Sequence, residues 1–356
     1  MIERIIIERY KSIREVDLRL SPINILIGAN GAGKSNFISF FQLVNQIYEG
    51  RLKQYSAKKG ANNLLHGGLK HSESIRGLLD FDDTNAYEFE LEPRDDESLR
   101  TASQVDYWNG RNNTTKDYER WHSDTPTQPY RDGATPRARH IRRYLTSFKV
   151  YHFHDTSDTS AMKTSGPIDD NVSLREDAGN LAAYLYLLQE RHPQAYRRIE
   201  MAVRAIAPFF KRFDLKPRQI NPDQIKLEWS ERDSDMYLDA HNLSDGTLRF
   251  IALATLLLQP DPPQTILIDE PELGLHPFAI HKLAALLQKT SVSSQIIVST
   301  QSVELVNQFE PEDIVTVDRE GGQSIFQRLD KSSLQHWLHE FSLGDIWQKN
   351  VIGGQP

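Results

Sequence analysis

The run "GANGAGKS", Gly28 to Ser35, constrains the fold more than any other stretch of the chain. It follows a short apolar segment, Ile23 to Ile27, and leads into a helically spaced one, Asn36 to Tyr48, with Phe37, Phe40, Phe41, Val44 and Ile47 on one face. Strand, glycine-rich turn and helix in that order fit G-x-x-x-x-G-K-[ST] in the context the chemistry needs. The glycines allow a tight backbone path whose amides turn inward on the α/β-phosphates of a nucleotide. Lys34 is expected to bridge the β- and γ-oxygens, and the Ser35 hydroxyl to hold Mg²⁺.

A second stretch, "TILIDEPELGLHP", supplies what such a loop lacks. Its apolar residues read as a strand with Asp269 at the carboxyl end, where ligands of α/β sheets bind. Asp269 suits a direct or water-mediated Mg²⁺ contact, and Glu270 beside it is the natural general base for an attacking water. The alternative for the pair is an acidic cap before Pro271.

The third stretch, "NLSDGTLRF", heads a long apolar run from Phe250 to Leu258. Ser244 or Asp245 there could simply cap a helix. A kinase or GTPase site is already complete without it, however. An ATPase whose γ-phosphate is closed over by a facing subunit needs such a turn, with Ser244 and the amides near Gly246 donating in trans. Capping and phosphate binding are compatible, since the same amides can serve both states.

Bulk properties fit a soluble globular protein: 356 residues, 38% hydrophobic and 26% charged. The net charge of -7 means that any nucleic-acid contact must come from a local patch. The absence of cysteine excludes disulfides, cysteine-ligated zinc and thiol catalysis. No apolar run approaches the ~18 residues of a membrane span, and the charged start does not read as a signal peptide, so a cytoplasmic protein is expected.

Strands are expected at 2–9, 14–20, 23–27, in two runs within 75–92, and at 224–230, 265–270 and 295–300. Residues 93 to about 136 read as a polar, irregular insertion, 179–212 as two helices broken at His192-Pro193, and 278–289 as a helix. Strands alternating with helices predict an α/β P-loop NTPase, with an antiparallel β subdomain and an inserted helical region. One ATPase domain would be assembled from both chain ends, about 1–93 and 240–330, with 94–240 inserted and 331–356 a helical tail.

Together these residues resemble the ABC-type ATPases of the RecF/SMC branch. The chain is more specifically similar to compact bacterial AAA-family ATPases related to the ATPase half of OLD-family nucleases. "RIIIERYKSI", "GANGAGKSN", "VYHFHDTS", "LREDAGNLAAYL", "LSDGTLRFIALATLLL", "ILIDEPELGLHP", "STQSVEL" and "SLGDIWQKNVIGG" carry the likeness, from residue 4 to 354. The resemblance implies ATP and Mg²⁺ as cofactors, with Gly28, Asn30, Gly31, Gly33, Lys34, Ser35 and Asn36 at the nucleotide and Ser35 and Asp269 at the metal. Glu270 would activate water, Ser244 and Gly246 would form the trans signature, and Lys11-Ser12 would lie near the adenine. It also implies an ATP-dependent head-to-tail homodimer, or a higher oligomer, in DNA maintenance or anti-phage defence.

One departure stands out: Gln301 in "STQSVEL" occupies the place where the group usually has a γ-phosphate histidine. A glutamine amide can donate a hydrogen bond but carries no charge, so slow hydrolysis is one expectation. That favours a second reading, an ATP-bound scaffold that restrains a separate effector such as a nuclease or toxin. A P-loop kinase would leave "LSDGT" unexplained. The glutamine that couples Mg²⁺ to the second lobe could be Gln42, Gln46 or Gln54. The sequence shows no long coiled coil and ends soon after residue 328, so no nuclease domain is expected within it.

Other candidates are weaker. His152, His154 and Asp155 have a spacing compatible with metal or with structural hydrogen bonds. His276 could touch a facing subunit or cap a helix. The stretch 131–149 sets Arg131, Arg137, Arg139, Arg142, Arg143 and Lys149 against Asp132. With Trp108 and Trp121 nearby in sequence it could bind DNA or RNA, or be a solvated face.

Overall fold

The structure is a computed structural model and describes residues 1–81, 85–108, 117–121, 136–234 and 236–354. The chain divides into two compact units: Met1–Val150, Gln264–Leu267 and Ser294–Pro356, and then Tyr151–Pro263 with Ile268–Ser293.

In the first unit, Ile23–Ile27 is buried at every position, as a strand inside a covered parallel sheet must be. It pairs in parallel with Gln295–Thr300 on one side and with Ile314–Glu320 on the other. Gln323–Arg328 adds antiparallel to the latter, and Thr265–Asp269 lies beyond Gln295–Thr300. A second, antiparallel sheet has the order Ile13–Arg19, Ile2–Tyr10, Ile75–Phe81, Asn85–Pro93, Leu99–Trp108, Asp117–Trp121. The helix Lys34–Tyr48 buries Phe37, Phe40, Phe41, Leu43, Val44 and Ile47, one continuous stripe in the core between strands of both sheets. Phe40 stacks on Phe89 and meets Tyr10 edge-on, so the phosphate-loop helix is clamped to the antiparallel sheet by aromatic packing.

The second unit holds the helices Leu181–Arg191 and Pro193–Ile206, a three-stranded sheet of Phe210–Phe213, Glu228–Glu231 and Leu238–Asp239, and the helices Asp245–Leu258 and Pro277–Thr290. Asp245–Leu258 is buried all round from Leu248 to Leu258, the signature of a central helix. It packs against Pro193–Ile206 and Pro277–Thr290.

The expected strands at 2–9, 14–20, 23–27, 265–270 and 295–300 are present within a residue or so of each end, as is the helix break at His192-Pro193. The irregular reading of 93–136 is corrected: Leu99–Trp108 pairs along its length with Asn85–Pro93, and Asp117–Trp121 pairs with Leu99–Trp108. Polar side chains face inward there, with Thr101 and Gln104 buried, so the usual apolar alternation is missing. Phe148, Val150, Tyr151 and Phe153 are all buried, with Val150–Tyr151 forming a short strand. The first unit's opening segment runs to Val150.

Candidate functional site

The phosphate loop leaves the first unit's sheet at Gly28 and enters its helix at Lys34. Gly33 stands at the N-cap with φ 123°, a backbone conformation that disfavours any side chain. A Cβ there would also run into the Ser324 hydroxyl. Gly33 offers the first helical turn no side-chain cap. Lys34 is buried, and its Nζ donates to the carbonyls of Gly28 at 2.5 Å and Ala29 at 3.1 Å. Asn30, Gly31 and Ser35 are exposed and Asn36 half-buried. All seven predicted loop residues are thus gathered around one turn, with a cation folded over it.

Residues remote in sequence brace the loop. Ser324 donates to the Ala32 carbonyl and bonds Ser12 Oγ at 2.7 Å; Asn36 Nδ2 donates to the same Ser12 Oγ at 2.7 Å. Arg319 donates to the Gly31 carbonyl at 3.2 Å. Next to this network lies a cavity of about 800 Å³ whose walls include Lys11, Ser12, Asn36, His66 and Arg319. Lys11 donates to Ser39 Oγ at 2.7 Å, and burial, helped by the Lys59 charge, pulls its ammonium down to about 8. Sequence reasoning reached Lys11 and Ser12 but missed Ser324 and Arg319, because they come from a hairpin about three hundred residues away.

Gln301 follows Gln295–Thr300. Thr300 pairs with Ile27 in a parallel register, so Gln301 and Gly28 leave neighbouring strands at the same level. The carboxyl-terminal segment reaches this edge too. Trp347 is fully buried and donates its indole N–H to the Gly354 carbonyl, while the Gly354 amide donates to the Asp318 carboxylate at 2.8 Å. A Cβ on Gly354 would stand 3.2 Å from the Ile27 carbonyl and 3.6 Å from Gly28 Cα. Gly344 donates to Asn307 Oδ1 at 2.7 Å, just beyond the Val303–Val306 helix. "SLGDIWQKNVIGG", a motif without an evident role in sequence, is therefore a brace for the phosphate-loop edge. Gln42 and Gln46 are half-buried on the loop helix, and Gln54 is exposed on Leu52–Lys59.

The second unit holds the other candidates. Asp269 and Glu270 are half-buried at the end of Thr265–Asp269, and Glu270 has φ 46°, unusual for a side-chain-bearing residue. His154 Nε2 lies 2.8 Å from the Asp269 carbonyl; since a carbonyl only accepts, that nitrogen carries the proton. Burial lowers the His152 pKa, against the opposing pull of the Asp269 charge. Asp155 accepts from the amide and hydroxyl of Ser157, and among the described residues no group of three or more His, Asp or Glu is placed to hold a metal. The "VYHFHD" segment thus supports the strand end carrying Asp269.

Ser244 is the N-cap of Asp245–Leu258, accepting from the Thr247 amide at 3.2 Å while remaining exposed. A Cβ on Gly246 would collide with the Gly274 carbonyl, so glycine is needed there for packing, whatever else it does. Arg249, unmarked in sequence, is buried and donates to the carbonyls of Phe153 at 2.8 Å, His154 at 3.1 Å and Leu273. One guanidinium therefore ties the Asp245–Leu258 helix to the Phe153–His154 segment and to the loop after Glu270. His276 caps Pro277–Thr290, its Nδ1 accepting from the Phe278 amide at 3.2 Å.

Of the basic stretch, Arg139, Arg142 and Arg143 are exposed on the Pro136–Leu145 helix, whose Ile141, Tyr144 and Leu145 are buried. Arg131, Asp132 and the side chains of Arg137, Trp108 and Trp121 lie outside the described residues.

Residues 23–307 match the family described as "AAA domain, putative AbiEii toxin, Type IV TA system". The chain belongs to this AAA-domain family. Its fold is that of solved SMC heads. One, the SMC head bound to the C-winged helix domain of ScpA, is 17% identical with a TM-score of 0.58, covering 93% of this chain and 99% of that one. Another, with an extended coiled coil and bound to the C-terminal domain of ScpA from Pyrococcus furiosus, is 17% identical with a TM-score of 0.57, covering 95% and 98%. At that identity the likeness is one of fold. The ABC transporter A family member 11 of Dictyostelium discoideum is 36% identical over 67 residues, which span 19% of this chain and only 8% of that protein. The P-loop ATPase head of the RecF/SMC kind expected from the sequence is thus the fold of this AAA-family chain, and nucleotide is the ligand class its family implies.

Proposed function

We propose that the chain binds and hydrolyses ATP and closes as a head-to-tail dimer over two Mg-ATP. The observation that carries this is the phosphate loop: an uncapped helix start, a glycine turn and a buried lysine ammonium held over them. Lys34 binds the β- and γ-oxygens, and the loop amides of Gly28, Asn30, Gly31 and Gly33 and the first helical turn at Ser35 and Asn36 take the remaining phosphate oxygens. The donors offered to Mg²⁺ are hard oxygens, the exposed Ser35 hydroxyl and the half-buried Asp269 carboxylate, which is the chemistry this ion prefers. When bound, the ion neutralises phosphate charge. Glu270 holds and deprotonates the attacking water, and Gln301 donates to the γ-phosphate. Ser244 and the Gly246 amide close over that phosphate from the facing subunit.

The family's description and the ScpA-bound SMC heads support a protein partner, here a separate effector such as a nuclease or toxin, in anti-phage defence or DNA maintenance. The exposed arginines of Pro136–Leu145 favour a DNA or RNA contact. Among the described residues no helix is long and apolar enough to cross a membrane, in keeping with a cytoplasmic site of action. Gln301 favours a second reading, a slowly hydrolysing ATP-bound scaffold. Steady-state turnover with and without DNA separates the two: a rate above about 1 per minute supports an ATPase cycle, since P-loop enzymes without full catalytic sets fall well below it.

A further inference from the structure

The signature turn contains a charge that its proposed role does not welcome. Asp245 follows the Ser244 cap directly and its side chain is 62% exposed on the same turn. A carboxylate there favours the helix dipole but repels a triphosphate brought in by a second copy of the chain. Lys163, from the loop after "VYHFHDTS", points at it. Its side chain is only 6% exposed, and its Nζ stands 3.5 Å from Asp245 Oδ1. Asp155, a further carboxylate on which its charge acts, is already engaged by the amide and hydroxyl of Ser157. A buried ammonium is costly to keep unless its charge has a use.

We infer that Lys163 is a positioning residue for the trans site, cancelling the Asp245 charge so that the turn can receive a γ-phosphate from a facing subunit. This rests on the dimeric reading above. It gives Lys163 a role separable from fold support, because removing the carboxylate should remove the need for the cation.

The test uses the full chain carrying Glu270→Gln, with dimer formation followed by light scattering across protein concentration in Mg-ATP. Lys163→Met should weaken the ATP-dependent dimer about tenfold or more, because the cation paired with Asp245 is lost while Arg249, which also acts on that carboxylate, stays tied to backbone carbonyls. Lys163→Arg, which keeps the charge, and Asp245→Asn should each dimerise like the parent. The double variant Lys163→Met with Asp245→Asn should recover the parent's dimer to within about threefold. Nucleotide binding by the monomer, read with a fluorescent ATP analogue, should be unchanged throughout, which also reports a folded chain. A Lys163→Met chain that dimerises like the parent, or a double variant as weak as Lys163→Met alone, overturns the inference while leaving the dimer standing. A parent that stays monomeric in Mg-ATP overturns the trans reading and this inference with it.

Discussion

At the scale of single residues, Lys34 is the plainest case. Its ammonium is folded on two loop carbonyls and does not hold the core together, so Lys34→Ala should abolish turnover while far-ultraviolet dichroism stays native. Wild-type turnover in that variant would remove the phosphate assignment. Gln301 leaves the sheet level with Gly28. Gln301→Ala should therefore lower kcat by about tenfold or more with little change in nucleotide affinity, as for loss of a positioned transition-state donor. Gln301→His should hydrolyse at least as fast as the parent, since it restores a donor that can carry charge. Lys11 gives a pH signature. Its folded pKa of about 8 lies below the ordinary 10.5, so between these values the unfolded chain binds more protons and stability rises with pH. Melting temperatures at pH 8 and pH 10 should show a smaller upward slope in Lys11→Met than in the parent; equal slopes would mean that burial does not perturb Lys11.

At the scale of elements, the parts readable in sequence are those with a single dominant pattern. Ile23–Ile27, Thr265–Asp269 and Gln295–Thr300 are each built on a short apolar run, Ile25–Ile27, Ile266–Ile268 and Ile296–Val298, and Asp245–Leu258 carries a mostly apolar stretch from Phe250 to Leu258, so much of their burial is written in composition. Leu99–Trp108 was not legible because Thr101 and Gln104 point inward, and the strand is specified by its partner Asn85–Pro93 through a bulge at Glu90/Leu91. The braces were hidden for another reason: Ser324, Arg319 and Gly354 reach the phosphate loop only once the parallel sheet has brought distant segments together. The same holds for Arg249, whose three carbonyl acceptors belong to segments that no local pattern links. The carboxyl-terminal brace has a measurable weight. Trp347→Ala removes a fully buried indole and should cost about 3–5 kcal/mol in denaturant unfolding. A midpoint equal to the parent's would show that the "SLGDIW" helix contributes nothing to the phosphate-loop edge.

At the scale of the whole molecule, the residues proposed for the nucleotide chemistry are drawn from two compact units. The loop and Gln301 belong to one, and Asp269, Glu270 and the signature turn to the other. Ser244 is an exposed cap, and the proposal that it faces another copy of the chain is the centre of the functional reading. The most direct test combines Glu270→Gln, which should retain Mg-ATP without activating water, with Ser244→Arg. Light scattering should find an ATP-dependent dimer for Glu270→Gln alone and a monomer for the double variant, each chain still binding nucleotide. If Ser244 is only a cap, the added substitution costs about 1 kcal/mol of stability, and an ATP-dependent dimer that persists in the double variant would contradict the account.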